Sequence, residues 1–210
     1  SVMASANNLG DLKVLETNAE ITKNTISLAK HFGVKHVVNF SSTSVYSNVD
    51  GLYKEDSLTD PSKNADCIYG LSKLNNEVLL NYFFAKSDAV VTHLRCGMIF
   101  SEAMDSTRIY PVLKKELLEE GQATLFGSGQ RVINYILIEE LIPYLERVIE
   151  LKADGIYNVV EYSETTIQLA NKIAEKEGVE NAKIILIDKG NFYKFIVDNN
   201  KLKNLLTSDV

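Results

Sequence analysis

The chain has 210 residues, enough for one domain or a domain with a small lobe. Its 22 basic and 28 acidic side chains give a formal net charge of −6. The basic residues form no stripe, which argues against a nucleic-acid partner. The apolar fraction of 45% suits a buried core. No apolar run is long enough for a membrane span, and no signal peptide is visible. Cys67 and Cys96 stand apart without metal-ligand spacing, and His31, His36 and His93 are scattered. A reduced, cytoplasmic setting and no metal site are expected. Arginine is scarce: Arg95, Arg108, Arg131 and Arg147 are the whole complement.

In chain order, strand and helix patterns alternate, which predicts an α/β fold with a parallel sheet. Residues 2–6 read as the tail of a strand. Residues 18–32 read as a helix, with Ile21, Thr25, Leu28, Ala29 and Phe32 at helical spacing and Gly33 as the stop. A buried-type strand over 36–40 runs into a serine-rich loop, and 50–61 is a polar loop. A long helix is predicted over 69–86 and a strand over 89–95. Further on, 111–120 reads as a helix closed by Gly121. Strand patterns follow at 123–126 and 132–138, with Gly127-Ser128-Gly129 as the turn between them. Residues 139–151 read as a helix with acids in its first turn, where the helix dipole favours them. Strands at 156–160 and 183–187 and helices at 165–177 and 200–206 complete the pattern.

The long helix carries Tyr69-Gly70-Leu71-Ser72-Lys73. Spacing of four residues brings a phenol and an ammonium onto one helical face. A free phenol has a pKa of about 10 and is a poor acid or base at neutral pH. A nearby cation favours its ionised form. Ser42, in the loop Phe40-Ser41-Ser42-Thr43-Ser44-Val45-Tyr46, offers a hydroxyl to the same substrate oxygen. Such a trio can move a proton on or off an alcohol or carbonyl. The Tyr/Lys spacing alone is common by chance, and an exposed amphipathic helix would show it too.

Several stretches together resemble the extended short-chain dehydrogenase/reductase family, the NAD-dependent epimerases and dehydratases, including proteins like UDP-glucose 4-epimerase. Asn18-Ala19-Glu20-Ile21-Thr22 is similar to its N-x-x-G-T helix start, with Ile21 in place of glycine. The run from Gly33 to Tyr46 is similar to its G-V-K-x-x-V-x-x-S-S-x-x-V-Y strand and loop. Tyr69 to Lys73 matches Y-G-x-S-K, and Leu94 to Phe100 resembles L-R-P-G-N-V-Y. Gly127-Ser128-Gly129, Asn134-Tyr135-Ile136 and Glu139-Glu140 resemble G-x-G followed by R-D-F-V-x-V-D-D. Tyr157-Asn158-Val159 and Asp198 with Lys201-Leu202 resemble Y-N-V and D-x-S-K.

The resemblance implies a Rossmann-like parallel sheet with a small α/β substrate lobe. Residues 1–103 would be a partial dinucleotide-binding domain that starts near the fourth strand. Residues 104–210 would be the substrate-binding lobe, with parts of 132–160 crossing back to the sheet. It implies hydride transfer at a sugar-like carbinol. Tyr69 would accept and donate the proton, Lys73 would hold the nicotinamide ribose and lower the tyrosine pKa, and Ser42 would orient the reacting oxygen. The implied cofactor is NAD or NADP, NAD being favoured, bound by Ala4, Ser5, Ala6, Ser41, Tyr69, Lys73, Cys96 and Gly97. The implied substrate positions are Ser42, Thr43, Ser44, Met98, Arg131 and Ile133. The expected partners are a small-molecule substrate, with a nucleotide sugar as one candidate, and a second copy in a homodimer.

Two departures narrow the class. Thr43 and Ser44 stand where dehydratases carry acids, which argues against a 4,6-dehydratase. Ile133 stands where sugar-nucleotide enzymes commonly place an arginine, and Asp188 or Lys189 where a second one lies. Arginine grips a diphosphate bidentately and lysine does not replace that geometry. The G-x-x-G-x-x-G turn that cradles the cofactor pyrophosphate is not among these residues. The chain is therefore expected to be a piece of a longer protein, with the NAD-or-NADP selector outside it. Alternatives are a reductase of a non-nucleotide ketone or aldehyde, and a non-catalytic NAD(P)-binding protein or inactive fragment.

Overall fold

A run such as Val90-Val91-Thr92-His93-Leu94-Arg95-Cys96 belongs in the middle of a parallel sheet, and β3 (Val90–Cys96) lies there. It is hydrogen-bonded in parallel to β1 (His36–Ser42) on one side and to β7 (Gly155–Val159) on the other. A strand buried on both faces must satisfy each polar side chain it carries. Thr92 donates to the Ala153 carbonyl. The His93 ring lies between Asn39 and Asn81, at 3.0 and 2.9 Å. Arg95 pairs with Glu77.

A computed structural model describes residues 10–190 and 193–207. The strand expected at 2–6, and with it Ala4, Ser5 and Ala6, lies outside the described residues. Helices α1 (Gly10–His31) and α2 (Cys67–Phe84) lie against each other, and both pack on β1 and β3 through Ile26, Ala29, Val37, Leu80, Phe84 and Val91. The apolar period of α1 is real, but Ile21 and Leu28, and Phe32 just past the end of the helix, face outward, 44%, 58% and 73% exposed. Val14, Ile26 and Ala29 are the inward set.

Gly97 takes the chain out of the main sheet. Its N–H donates to the Val159 carbonyl, and a Cβ there would lie 2.5 Å from the Asn134 carbonyl oxygen, so only glycine fits. Beyond it, β4 (Met98–Phe100) pairs with β6 (Val132–Leu137), which pairs antiparallel with β8 (Tyr162–Thr165). Helix α3 (Ile109–Glu120) ends at Gly121 with φ 66°, a left-handed cap. It leads into β5 (Gln122–Phe126), which pairs with β9 (Lys183–Ile187). Helix α5 (Thr166–Lys176) opens on a Thr165/Gln168 capping box. These elements enclose a core of Phe100, Leu113, Leu117, Ile133, Tyr135 and Leu169.

Helix α4 (Ile138–Glu150) returns from β6 and packs under β7 with Leu94, Ile136, Leu141 and Val148. Strand β2 (Gly51–Tyr53), within the expected polar loop, pairs with β10 (Phe195–Val197), and α6 (Asn200–Thr207) closes over β7. The fold is α/β, as the alternating pattern predicts, and Rossmann-like, as the family resemblance implies. No helix among the described residues is long and apolar enough to cross a membrane.

Candidate active site

Ser42 is the last residue of β1 and caps the tight turn Thr43–Val45. Its Oγ accepts from the Ser44 N–H at 3.1 Å and donates to Ser44 Oγ at 3.2 Å. Ser42 is 7% and Thr43 9% exposed, and Ser44 is half-buried. The turn is therefore a rigid shelf of hydroxyls at the carboxyl end of the strand.

Helix α2 rests directly on that shelf. A Cβ at Gly70 would lie 2.1 Å from the Ser44 carbonyl oxygen, so the close approach needs a residue without a side chain. This explains the glycine between Tyr69 and Lys73. Ser72, on the opposite face, accepts from Asn18 Nδ2 at 2.9 Å and ties α2 to α1.

Tyr69 is half-buried. The Lys73 ammonium lies 5.5 Å from the centroid of its ring, within cation–π range. Lys73 is 1% exposed and donates to the Phe40 carbonyl at 2.7 Å. An ammonium has three N–H bonds to give, and among the described residues that carbonyl takes one. Burial pulls its pKa down to about 8, partly opposed by Cys96. Cys96 faces Ser42 across the β1–β3 ladder and is buried, which pushes its thiol up to about 12 despite Lys73. The thiol is thus neutral at physiological pH and lends Lys73 little charge.

Ser41, Ser42, Thr43, Ser44, Tyr69, Lys73 and Cys96 are gathered where α2 meets the ends of β1 and β3, with Gly97 next in the chain. The other expected substrate residues lie on the lobe. Met98 packs at the edge of the lobe core. Ile133 is 3% exposed within that core, on the same side of β6 as Tyr135. Arg131 is exposed on the turn before β6. Asp188 and Lys189 are exposed after β9.

Four participants were not singled out from the sequence. Glu77, Arg95, Tyr46 and Asn158 form a buried polar chain beneath the shelf. A signal existed: a lone arginine inside an apolar strand needs a carboxylate, and Glu77 follows Lys73 by one helical turn. Among the described residues no cluster of His, Cys, Asp and Glu could hold a metal ion.

The sequence model described as the NAD dependent epimerase/dehydratase family matches residues 3–160. Among curated proteins none matches. Solved structures do. A dTDP-glucose 4,6-dehydratase from Bacillus anthracis str. Ames, in complex with NAD, superposes with TM-score 0.79 at 18% identity, over 98% of this chain and 65% of that one. A UDP-glucuronic acid 4-epimerase from Bacillus cereus, also with NAD, gives 0.80 at 19%, over 97% and 65%. A UDP-N-acetylglucosamine 4-epimerase from Methanobrevibacter ruminantium M1, in complex with UDP-N-acetylmuramic acid, gives 0.82 at 19%, over 97% and 68%. The chain thus spans about two thirds of the length of these structures.

Proposed function

The chain belongs to the NAD dependent epimerase/dehydratase family, and from that premise we propose an oxidoreductase of the nucleotide-sugar epimerase type that works at a sugar-like carbinol. The observation that carries this reading is the seating of Gly70 on the Ser44 carbonyl, which sets Tyr69 and Lys73 beside the Ser42 shelf. Residues 1–103 are assigned to the cofactor side and 104–210 to the substrate lobe, with parts of 132–160 crossing back to the sheet.

A nicotinamide dinucleotide, when bound, supplies the hydride acceptor and donor. The residues present fit such a group: a buried ammonium with N–H bonds to spare suits ribose hydroxyls. Lys73 would hold that sugar, with Ser41, Cys96 and Gly97 beside it. NAD is favoured, since structural relatives were obtained with it. Ser42 orients the substrate hydroxyl, and Thr43 and Ser44 complete the polar wall. Tyr69 takes the hydroxyl proton as the carbonyl forms and returns it on reduction. The Lys73 charge beside the ring favours the phenolate.

A second reading, reduction of a non-nucleotide ketone or aldehyde, draws on Ile133. That side chain is sealed in the lobe core and offers no cation. The test is the full-length protein with NAD and UDP-glucose, UDP-glucuronic acid and dTDP-glucose, with calorimetry on UDP, dTDP and GDP. Turnover of one of these sugars is expected, with nucleotide affinity weaker than about 1 μM, near −8 kcal/mol. Submicromolar affinity would show that Arg131 or Lys189 grips the diphosphate. No turnover of any of them, with reduction of a simple ketone, would favour the second reading.

The outer faces of α1 and α2 suit a homodimer. Ile21 and Leu28 of α1, with Phe32 just past its end, and Leu71, Val78 and Tyr82 of α2 recur at helical spacing and are exposed, Tyr82 to 76%. Burying these faces against a second copy is expected to give a dimer in sedimentation at tens of micromolar. A monomer throughout that range would count against it.

A further inference from the structure

Glu77 lies on α2 one turn beyond Lys73 and meets Arg95 of β3 in a two-pronged pair. Arg95 Nε donates to Oε1 at 3.0 Å and Nη2 to Oε2 at 2.8 Å, both side chains being 4% exposed. Desolvating two ions costs several kcal/mol each, so a pair like this is a poor source of stability by itself. Apart from a bond of Arg95 Nη1 to the Glu55 carbonyl at 3.2 Å, its further hydrogen bonds reach the Ser42 turn. Glu77 Oε1 also accepts from Ser41 Oγ at 2.5 Å, the residue just before Ser42. Arg95 Nη1 donates to Tyr46 Oη at 2.9 Å, and the guanidinium lies 5.0 Å from the Tyr46 ring centroid. Tyr46 closes the same turn, its N–H donating to the Thr43 carbonyl at 3.1 Å. Both ends of the Ser42 shelf are therefore fastened to one ion pair, and the carboxylate of that pair belongs to the helix that carries Tyr69 and Lys73.

We propose that Glu77 and Arg95 are a positioning pair that fixes the Ser42 turn against the Tyr69/Lys73 face of α2. The pair touches no reacting atom, and its role in catalysis rests on the function proposed above. The Ser41 and Tyr46 arms act on opposite ends of the turn, so loosening either one frees Ser42 without unseating Lys73 from the Phe40 carbonyl.

Hydrogen exchange on the full-length protein tests this directly. Glu77→Gln keeps the shape and an acceptor for Ser41 but removes the charge. Arg95→Lys keeps the charge but loses the fork. Tyr46→Phe leaves the ion pair intact and cuts the far arm, together with the phenol's bonds to the Lys54 carbonyl and Asn158. In each variant the amides of 42–47 should exchange about tenfold faster, while those of 113–120 and 166–176 stay within about twofold, as local opening requires. NADH affinity by fluorescence should stay within about threefold, and any sugar turnover should fall in kcat with KM nearly unchanged, the mark of a lost transition-state geometry. Exchange that rises in step across the whole chain would make the pair merely structural and overturn the proposal, as would unchanged exchange at 42–47. If either ion-pair variant fails to fold, Tyr46→Phe decides by the same two outcomes. A wild-type protein that turns over no nucleotide sugar would sink the proposed function and leave the exchange result standing.

Discussion

Tyr69→Phe in the full-length protein is expected to lower turnover by about 10²–10⁴-fold, the usual worth of positioned acid–base catalysis. The substitution keeps the ring and deletes the one group proposed to carry the proton. The ring is half-buried and the Lys73 ammonium lies 5.5 Å from its centroid, a contact that phenylalanine preserves. Helix α2 is seated by Gly70 on the Ser44 carbonyl and by Ser72 on Asn18, neither of which involves the phenol oxygen. The melting temperature should therefore change little. Steady-state rates with a nucleotide sugar and a thermal melt read both halves. Turnover within a few-fold of wild type would remove Tyr69 from the mechanism.

What could be read from the sequence was set by element length. The helices and the buried strands carry enough residues for a period to show, and Gly121 marks the end of α3 with the left-handed cap it alone takes easily. Strands β2, β4 and β10 have three residues each, and β8 has four. Such pieces have no period of their own, and their pairing is decided by neighbours far away in the chain. The start of α1 at Gly10, ahead of the expected 18–32, is hard to read for a related reason, since its first turns have mixed polarity and show no clear period.

The Ser42, Tyr69 and Lys73 group was readable because its chemistry is bound to short spacings within one loop and one helix. Glu77 and Arg95 were not paired from sequence because eighteen residues separate them and only the register of α2 over β3 brings them together. Ile133 shows the opposite limit. A motif column suggests a substrate position, yet strand parity sends the side chain into the lobe core with Tyr135. Arginine there would need a different packing of Phe100 and Leu169, so the departure is built into the lobe interior.

Lys73→Met should abolish what the lysine does for the cofactor and yet stabilise the cofactor-free protein. Lys73 is 1% exposed, and burial is the main reason its pKa falls from 10.5 to about 8. The neighbouring Cys96 offers no compensating thiolate at neutral pH, because its own pKa is pushed up to about 12. Holding the ammonium in that place therefore costs about 1–3 kcal/mol at pH 7, taking about 1.4 kcal/mol per pKa unit as an upper scale. Methionine has similar length and no charge to desolvate, although it leaves the Phe40 carbonyl without its donor. The pH dependence separates these effects. Between about pH 8 and 10.5 the unfolded chain keeps the Lys73 proton while the folded chain gives it up, so wild-type stability rises with pH across that window. The variant has no such rise, and its advantage should shrink from pH 7 to pH 10. Urea unfolding of both cofactor-free proteins at those two pH values is the measurement. A variant less stable than wild type at pH 7, by an amount that does not change with pH, would show that Lys73 carries no buried-charge penalty.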